Sequence, residues 1–228
     1  MSRDRRHHTW MPGVRDALAH VLWIGGGPQV GKTTLSRLLA GTYDLKIYNL
    51  DWHDTRDHQR RVAGATAAFA KLSMDERWAH PDPDALAERS LAIWAELFAF
   101  TIEDLLAGSN SRPIVAEGPG ALPWLVAPLI RSPRQAIFLV PSAAWRQRVA
   151  ERRYGVGQAK RFGPELRDRE RALTNVRARD AIIDQRIAAS CVELGLRWEA
   201  MDGSLDLDAS LGLVEDHLRP GLPGSCNV

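Results

Sequence analysis

Apolar and polar positions fall into blocks along this chain, and the blocks have two different periods. Short continuous apolar runs stand at "HVLWIGG" (20–26), "LKIYNLD" (45–51), "RPIVAEG" (112–118) and "RQAIFLVPS" (134–142), the length and character of strands buried on both faces. The second of these is read as a strand ending at Asp51, and "LRWEAMDGS" (196–204) as a fifth, weaker strand. Between them the period turns helical. "TTLSRLLAGTY" places Leu35, Leu38 and Leu39 on one helix face, with Gly41 as the expected stop. From about Arg56 to Gly108 the pattern is helical, broken only by "HPDPDAL", where Asp82 or Asp84 offers a helix start and Gly108 an end. Ser142 is placed to cap "AAWRQRVAERRYG", a long polar helix spans Asp168 to Gly195, and "LDASLGLVEDHL" forms a last helix.

Strands that alternate with helices predict an α/β fold: helices on both faces of a mainly parallel sheet, joined by right-handed crossovers. Ligands of such sheets bind beyond the carboxyl ends of the strands. The loops that follow the first three strands carry Gly26–Thr34, Asp51–Asp57 and Glu117–Gly120, so all three are expected on one rim. The organisation read from these blocks is an N-terminal arm (1–20), one main domain (21–218) and a flexible tail (219–228). Within the main domain, 56–108 is a helical insertion and the glycine-punctuated "YGVGQAKRFGPEL" lies in a movable lid, 153–168.

Composition changes this picture little. A chain of 228 residues with 45% hydrophobic and 25% charged positions suits one ordinary globular domain. Its formal charge of +2 gives no whole-molecule field that would draw in nucleic acid. No apolar run reaches a membrane span, and the basic start "MSRDRRHHTWMPGVRD" leads into no apolar core, so the cytoplasm is the expected compartment. Cys191 and Cys226 have no metal-ligand spacing, and His7, His8, His20, His53, His58, His80 and His217 are scattered.

The chemistry concentrates in "WIGGGPQVGKTTLSRLLAG" (23–41). Gly26-Gly27-Pro28-Gln29-Val30-Gly31-Lys32-Thr33 fits G-x-x-x-x-G-K-[ST] at each fixed position, after an apolar strand and before an amphipathic helix. Gly26, Gly27 and Gly31 let backbone N–H groups turn inward on phosphate oxygens at a helix N-terminus. Lys32 is expected to reach the outer phosphates and the Thr33 hydroxyl to ligate magnesium, with Thr34 beside it. A carboxylate at Asp51 is placed to accept a proton from an acceptor hydroxyl or to hold a magnesium-bound water, and a helix cap is its plainer role. Asp54 and Arg56 are candidates for binding the acceptor, although a solvated helix face explains them as well. Glu117 is expected in the magnesium shell, partly through water, or on a substrate hydroxyl, and Trp124 walls an acceptor pocket or packs in the core. Ten arginines and Lys160 lie between Arg146 and Arg179 against Glu151, Glu165, Asp168 and Glu170. Arg148 and Arg152 are i,i+4 neighbours there, suited to neutralising a transferring phosphoryl group, to a solvated face, or to RNA.

Taken together, "GGGPQVGKTT", "NLD", "AEG", "RVAERR" and "MDGS" make residues 20–218 resemble small kinases of the P-loop nucleoside/nucleotide kinase-like superfamily. The resemblance implies a three-layer fold with a five-stranded parallel sheet in the order 2-3-1-4-5. Adenylate-kinase-like enzymes open their lid with an R-x-x-x-R pair, which Arg148 and Arg152 match. The first such arginine lies against the adenine and the second on phosphates. A "DG" lies near the base, as Asp202-Gly203 does by resemblance. Chloramphenicol phosphotransferase-like and zeta-toxin-like kinases carry a catalytic aspartate after strand two, similar in placement to Asp51. The nucleoside monophosphate motif set is absent between Asp51 and Gly108, and the tryptophan-bearing insertion (Trp78, Trp94) stands in its place.

The function this implies is ATP- and Mg²⁺-dependent phosphoryl transfer to a hydroxyl of a small-molecule acceptor, with Asp51, Lys32 and Arg152 catalytic. Arg148 and Gly203 join the P-loop residues on the nucleotide. Nucleic acid and membrane are not expected as partners, and the chain is expected as a monomer or homodimer. Two alternatives stay open: a nucleoside/nucleotide or nucleic-acid end kinase, and a nucleotide hydrolase that switches a protein partner. Against the switch, the guanine-reading N-K-x-D is missing, since none of Lys32, Lys46, Lys71 and Lys160 follows an asparagine.

Overall fold

A computed structural model describes residues 13–108, 112–155 and 162–225. Five strands form one wholly parallel sheet: β1 (Val21–Gly26), β2 (Lys46–Asn49), β3 (Ile114–Glu117), β4 (Ala136–Pro141) and β5 (Arg197–Met201), in the order β2-β3-β1-β4-β5. Every residue of β1, β3 and β4 is buried, which is why those segments read as unbroken apolar runs. The edge strands β2 and β5 are only partly covered and mix polar residues in.

The helices are α1 (Val14–Ala17), α2 (Lys32–Tyr43), α3 (Leu50–Arg56), α4 (Gly64–Ala70), α5 (Met74–Trp78), α6 (Pro83–Ala107), α7 (Pro123–Val126), α8 (Ala143–Tyr154), α9 (Arg169–Leu194) and α10 (Leu207–Leu218). They cover both faces of the sheet and give it two cores. On one face Trp23, Phe138 and Ala116 meet Phe98 and Ile102 of α6 and Ile183 and Ile187 of α9. On the other, Leu22, Ile24 and Leu139 meet Leu35 and Leu39 of α2 and Val214 of α10. This is a three-layer α/β P-loop architecture.

Most boundaries follow from capping. Asp82 accepts from Ala85 N at 2.7 Å with Pro83 in the first turn of α6, Ser142 accepts from Trp145 N at 3.1 Å, and Asp168 from Arg171 N at 3.1 Å. Two expectations need correction. Helix α2 runs past Gly41 to Tyr43 and stops at Asp44, a non-glycine residue in the left-handed region (φ 51°). Strand β2 stops at Asn49, whose side chain accepts from Trp52 N at 2.7 Å and so starts α3. Asp51 therefore lies in the first turn of a helix, where its charge also suits the helix dipole.

The chain flanking the sheet is packed too. Leu18 is fully buried and Arg15 donates to Pro128 O at 2.9 Å, so residues 13–20 belong to the folded unit. Arg219–Gly221 forms a 3₁₀ turn against Leu22, which makes the first part of the proposed tail ordered. Of the proposed lid, residues 156–161 lie outside the described residues, as do the first 12 residues of the arm and the last three of the tail.

Candidate active site

The P-loop joins the carboxyl end of β1 to α2. Gly27 N donates to Leu139 O at 2.9 Å, which ties the loop to β4. Its glycines are needed for two separate reasons. At Gly26 (φ 113°) a Cβ would stand 2.0 Å from Leu139 O, and at Gly27 one would stand 2.3 Å from Asp184 Oδ1. Gly31 has open space around it but adopts φ 87°, a conformation costly to any residue with a Cβ. Lys32 is buried, and its Nζ spans the loop, donating to Gly27 O at 2.6 Å and Gly26 O at 3.2 Å. Desolvation lowers its pKa to about 8, against the opposing pull of Asp51 and Glu117.

Glu117 ends β3, directly between β1 and β2, in register with Ile24 and Asn49. Its carboxylate is buried and accepts from Thr33 Oγ1 at 2.8 Å and from Asn49 Nδ2. Burial raises the Glu117 pKa, while Thr33, Lys32 and Asn49 act to lower it. Asn49 thus holds Glu117 and caps α3 with the same side chain, a double role that its place in "YNLD" did not announce. Asp51 faces the same loop from the rim. Partial desolvation raises its carboxyl above the ordinary value of 3.8, opposed by the charges of Lys32 and Arg153. Lys32, Glu117 and Asp51, which follow or end β1, β3 and β2, therefore act on one another's charge at this rim, with Glu117 on Thr33 and the Asp51 backbone beside Gly118.

The oxygen donors here fit magnesium. A hydroxyl and a carboxylate within hydrogen-bonding distance match a cation that takes few protein ligands and completes its shell with water and phosphate oxygens. Thr33 and Glu117 would hold it, Glu117 in part through water.

Beside the P-loop lies a cleft of about 300 Å³, at the small end of the range for ligand sites. Val30, Gly31 and Thr34 form one side, and Trp145, Arg152 and the loop from Met201 to Leu207 the other. Gly203 (φ 85°) lets that loop close on Trp145, since a Cβ there would stand 2.5 Å from the indole. Arg148 donates to Asp202 O at 2.6 Å and lies over the Trp145 ring, so it braces the cleft from outside its lining while Arg152 lines it. Trp145 is a lining residue that sequence reasoning missed; its only signal was an aromatic three residues after a helix cap.

Other candidates are engaged elsewhere. Asp54 is buried and accepts from the fully buried His58 at Nδ1 (2.9 Å), while His58 Nε2 lies 2.8 Å from Asp104 Oδ2 and Tyr48 Oη donates to that oxygen at 2.7 Å. This Asp54–His58–Asp104–Tyr48 chain fastens α3 to α6 and β2, and it removes Asp54 from acceptor binding. Arg56 is exposed, stacked on Trp52 at 3.7 Å and bonded to Asp57, so it is a surface residue. Trp124 packs against the core, because Pro123 and the buried Leu122 and Leu125 turn α7 onto the sheet.

No protein-family model matches the sequence, and no curated protein matches it. Matching solved structures include a thymidylate kinase from Candida albicans, 15% identical, spanning 88% of this chain and 91% of that one with a TM-score of 0.46. Another is an uncharacterized protein from Eubacterium ventriosum, 14% identical, spanning 88% of this chain and 98% of that one with a TM-score of 0.41. Among the described residues no helix is long and apolar enough to cross a membrane.

Proposed function

We propose that this chain is an ATP-dependent phosphotransferase that moves the γ-phosphoryl group of ATP to a hydroxyl of a small-molecule acceptor. The observation that carries this reading is the convergence of Lys32, Thr33, Glu117 and Asp51 on the carboxyl rim of β1, β2 and β3. A loop that only held nucleotide would need Lys32 and Thr33. A further carboxylate facing the loop, Asp51, its pKa raised by desolvation, suits transfer to a hydroxyl.

The base occupies the cleft beside Trp145 and Gly203, with Arg148 bracing the loop that closes it. Backbone N–H groups from Gly27 to Thr33 cradle the phosphates, and the Lys32 ammonium sits against the outer ones. Magnesium, when bound by Thr33 and Glu117, neutralises phosphate charge. Asp51 orients the acceptor hydroxyl and takes its proton as the oxygen bonds to the γ-phosphorus. The bond to the bridging oxygen breaks, and ADP leaves with that electron pair. Arg152 and Arg153, at the end of α8, supply positive charge to the transferring group.

The test is incubation with γ-labelled ATP and pools of nucleosides, sugars, aminoglycosides and oligonucleotides. A labelled small-molecule product supports the proposal. Label found only on oligonucleotide ends, or only as inorganic phosphate, refutes it.

A further inference from the structure

Asn49 is the last residue of β2 and stands opposite Glu117, the last residue of β3, in the final rung of their parallel pairing. Its amide is used at both ends. Nδ2 donates to Glu117 Oε1, and Oδ1 accepts from Trp52 N at 2.7 Å, which caps α3. These partners fix which way the amide points. Turned over, it would set its oxygen against a carboxylate and its own N–H groups against the Trp52 N–H. No other short side chain does both jobs. Ser at this position still accepts from Trp52 N but is too short to span to Glu117, and Asp would turn a second carboxylate on it.

The two groups joined by this bridge are both parts of the site. Among the described residues, both hydrogen bonds that Glu117 accepts, from Thr33 Oγ1 at 2.8 Å and from Asn49, fall on Oε1, which leaves Oε2 for a cation or its water. Asp51 lies two residues beyond Asn49, in the first turn of the capped helix, and its carbonyl accepts from Thr55 Oγ1 at 2.6 Å. The chain there also rests on Gly118, the residue after Glu117. A Cβ on Gly118 (φ 153°) would stand 2.8 Å from Leu50 Cβ and 3.6 Å from Asp51 N. The end of β3 and the first turn of α3 therefore meet twice, through the Asn49 amide and through the bare Gly118 backbone. A shift of the Glu117 carboxylate pulls directly on the amide from which α3 starts.

We infer that Asn49 is a positioning residue that couples a magnesium ion held at Thr33 and Glu117 to the helix carrying Asp51. With the cation bound, Glu117 is fixed, Glu117 fixes the Asn49 amide, and the amide holds the first turn of α3. The inference rests on the phosphotransferase reading and adds an order to it: α3 and Asp51 are held most firmly once Mg·ATP is in place. The coupling is reciprocal, so cutting the bridge also loosens the hold on the metal.

The experiment is hydrogen–deuterium exchange of the full chain, read by mass spectrometry over α3 (50–56), at saturating non-hydrolysable ATP analogue with and without Mg²⁺. Calorimetric titration of the analogue under both conditions accompanies it. In the wild-type chain Mg²⁺ slows exchange over 50–56 at least about fivefold beyond the analogue alone. Asn49→Ser keeps the cap, so its metal-free exchange stays near that of the wild type. Its added protection by Mg²⁺ is lost, and the tightening of analogue binding by Mg²⁺ falls about tenfold or more. Asn49→Ala loses both partners, exchanges faster over 50–56 without ligand, and also gains no protection from Mg²⁺. A residue that only stabilised the fold would change exchange alike with and without Mg²⁺. A melting curve confirms that each variant folds. No Mg²⁺-specific protection in a wild-type chain that binds the Mg·analogue, or protection retained in folded Asn49→Ser or Asn49→Ala, would overturn the inference and leave the phosphotransferase reading standing. If the wild-type chain fails to bind the analogue, that reading fails, and the coupling falls with it.

Discussion

Thr33 Oγ1 lies 2.8 Å from Glu117 Oε1, joining the first turn of α2 to the end of β3 across 84 residues of sequence. The contact unites the one hydroxyl and the one buried carboxylate that the P-loop needs for a cation. Glu117→Gln keeps the shape and both hydrogen-bonding neighbours but removes the charge. It is expected to weaken Mg·ATP binding about 10- to 100-fold while affinity for metal-free ATP changes little. Parallel fluorescence titrations with and without Mg²⁺ measure the difference.

Lys32 sets a pH limit. Burial lowers its pKa to about 8, so the ammonium is present below that pH and lost as pH rises through it. Phosphates prefer the charged form, so kcat/KM for ATP, which reports the free enzyme, is expected to fall above pH about 8 with a slope approaching −1. Lys32→Arg keeps charge to high pH, and its profile is expected to be flat there even if its maximum is lower.

The sequence shows much of this because the parts are local. Buried parallel strands must be apolar throughout, the P-loop is contiguous, and Asp82, Ser142 and Asp168 cap helices within three residues. What stayed hidden depends on distant partners. Asp54 and His58 are a visible i,i+4 pair, yet only Asp104, 46 residues further on, turns them into a buried network. Asn49 reads as part of a strand until Glu117 and Trp52 N claim its side chain. Trp78 and Phe162 read as separate aromatics until α9 carries Asn175 to the end of α5.

His58 has no exposed surface and both ring nitrogens are engaged. His58→Ala takes the His58 partner from buried Asp54, leaves Asp104 only Tyr48 and Arg61, and opens a void, so it is expected to destabilise the chain by about 3 kcal/mol. Urea unfolding reads this as a lower midpoint with an unchanged slope.

Gly27 and Gly31 separate crowding from strain. Gly27→Ala forces a Cβ to 2.3 Å from Asp184 Oδ1 and 2.6 Å from Pro141 Cδ, so the loop must shift and nucleotide binding is expected to be lost. Gly31→Ala meets no atom and bears only its left-handed φ, a cost of about 1–2 kcal/mol, with binding weakened but retained. Calorimetric titration with ATP ranks the two.

The central claim is transfer assisted by Asp51, and single-turnover measurement with γ-labelled ATP and an accepted hydroxyl compound tests it most directly. The wild-type chain is expected to place the label on the acceptor. Asp51→Asn is expected to bind ATP normally but transfer it about 10²- to 10⁴-fold more slowly. Near-normal transfer by Asp51→Asn, or wild-type label released only as inorganic phosphate, would contradict the account.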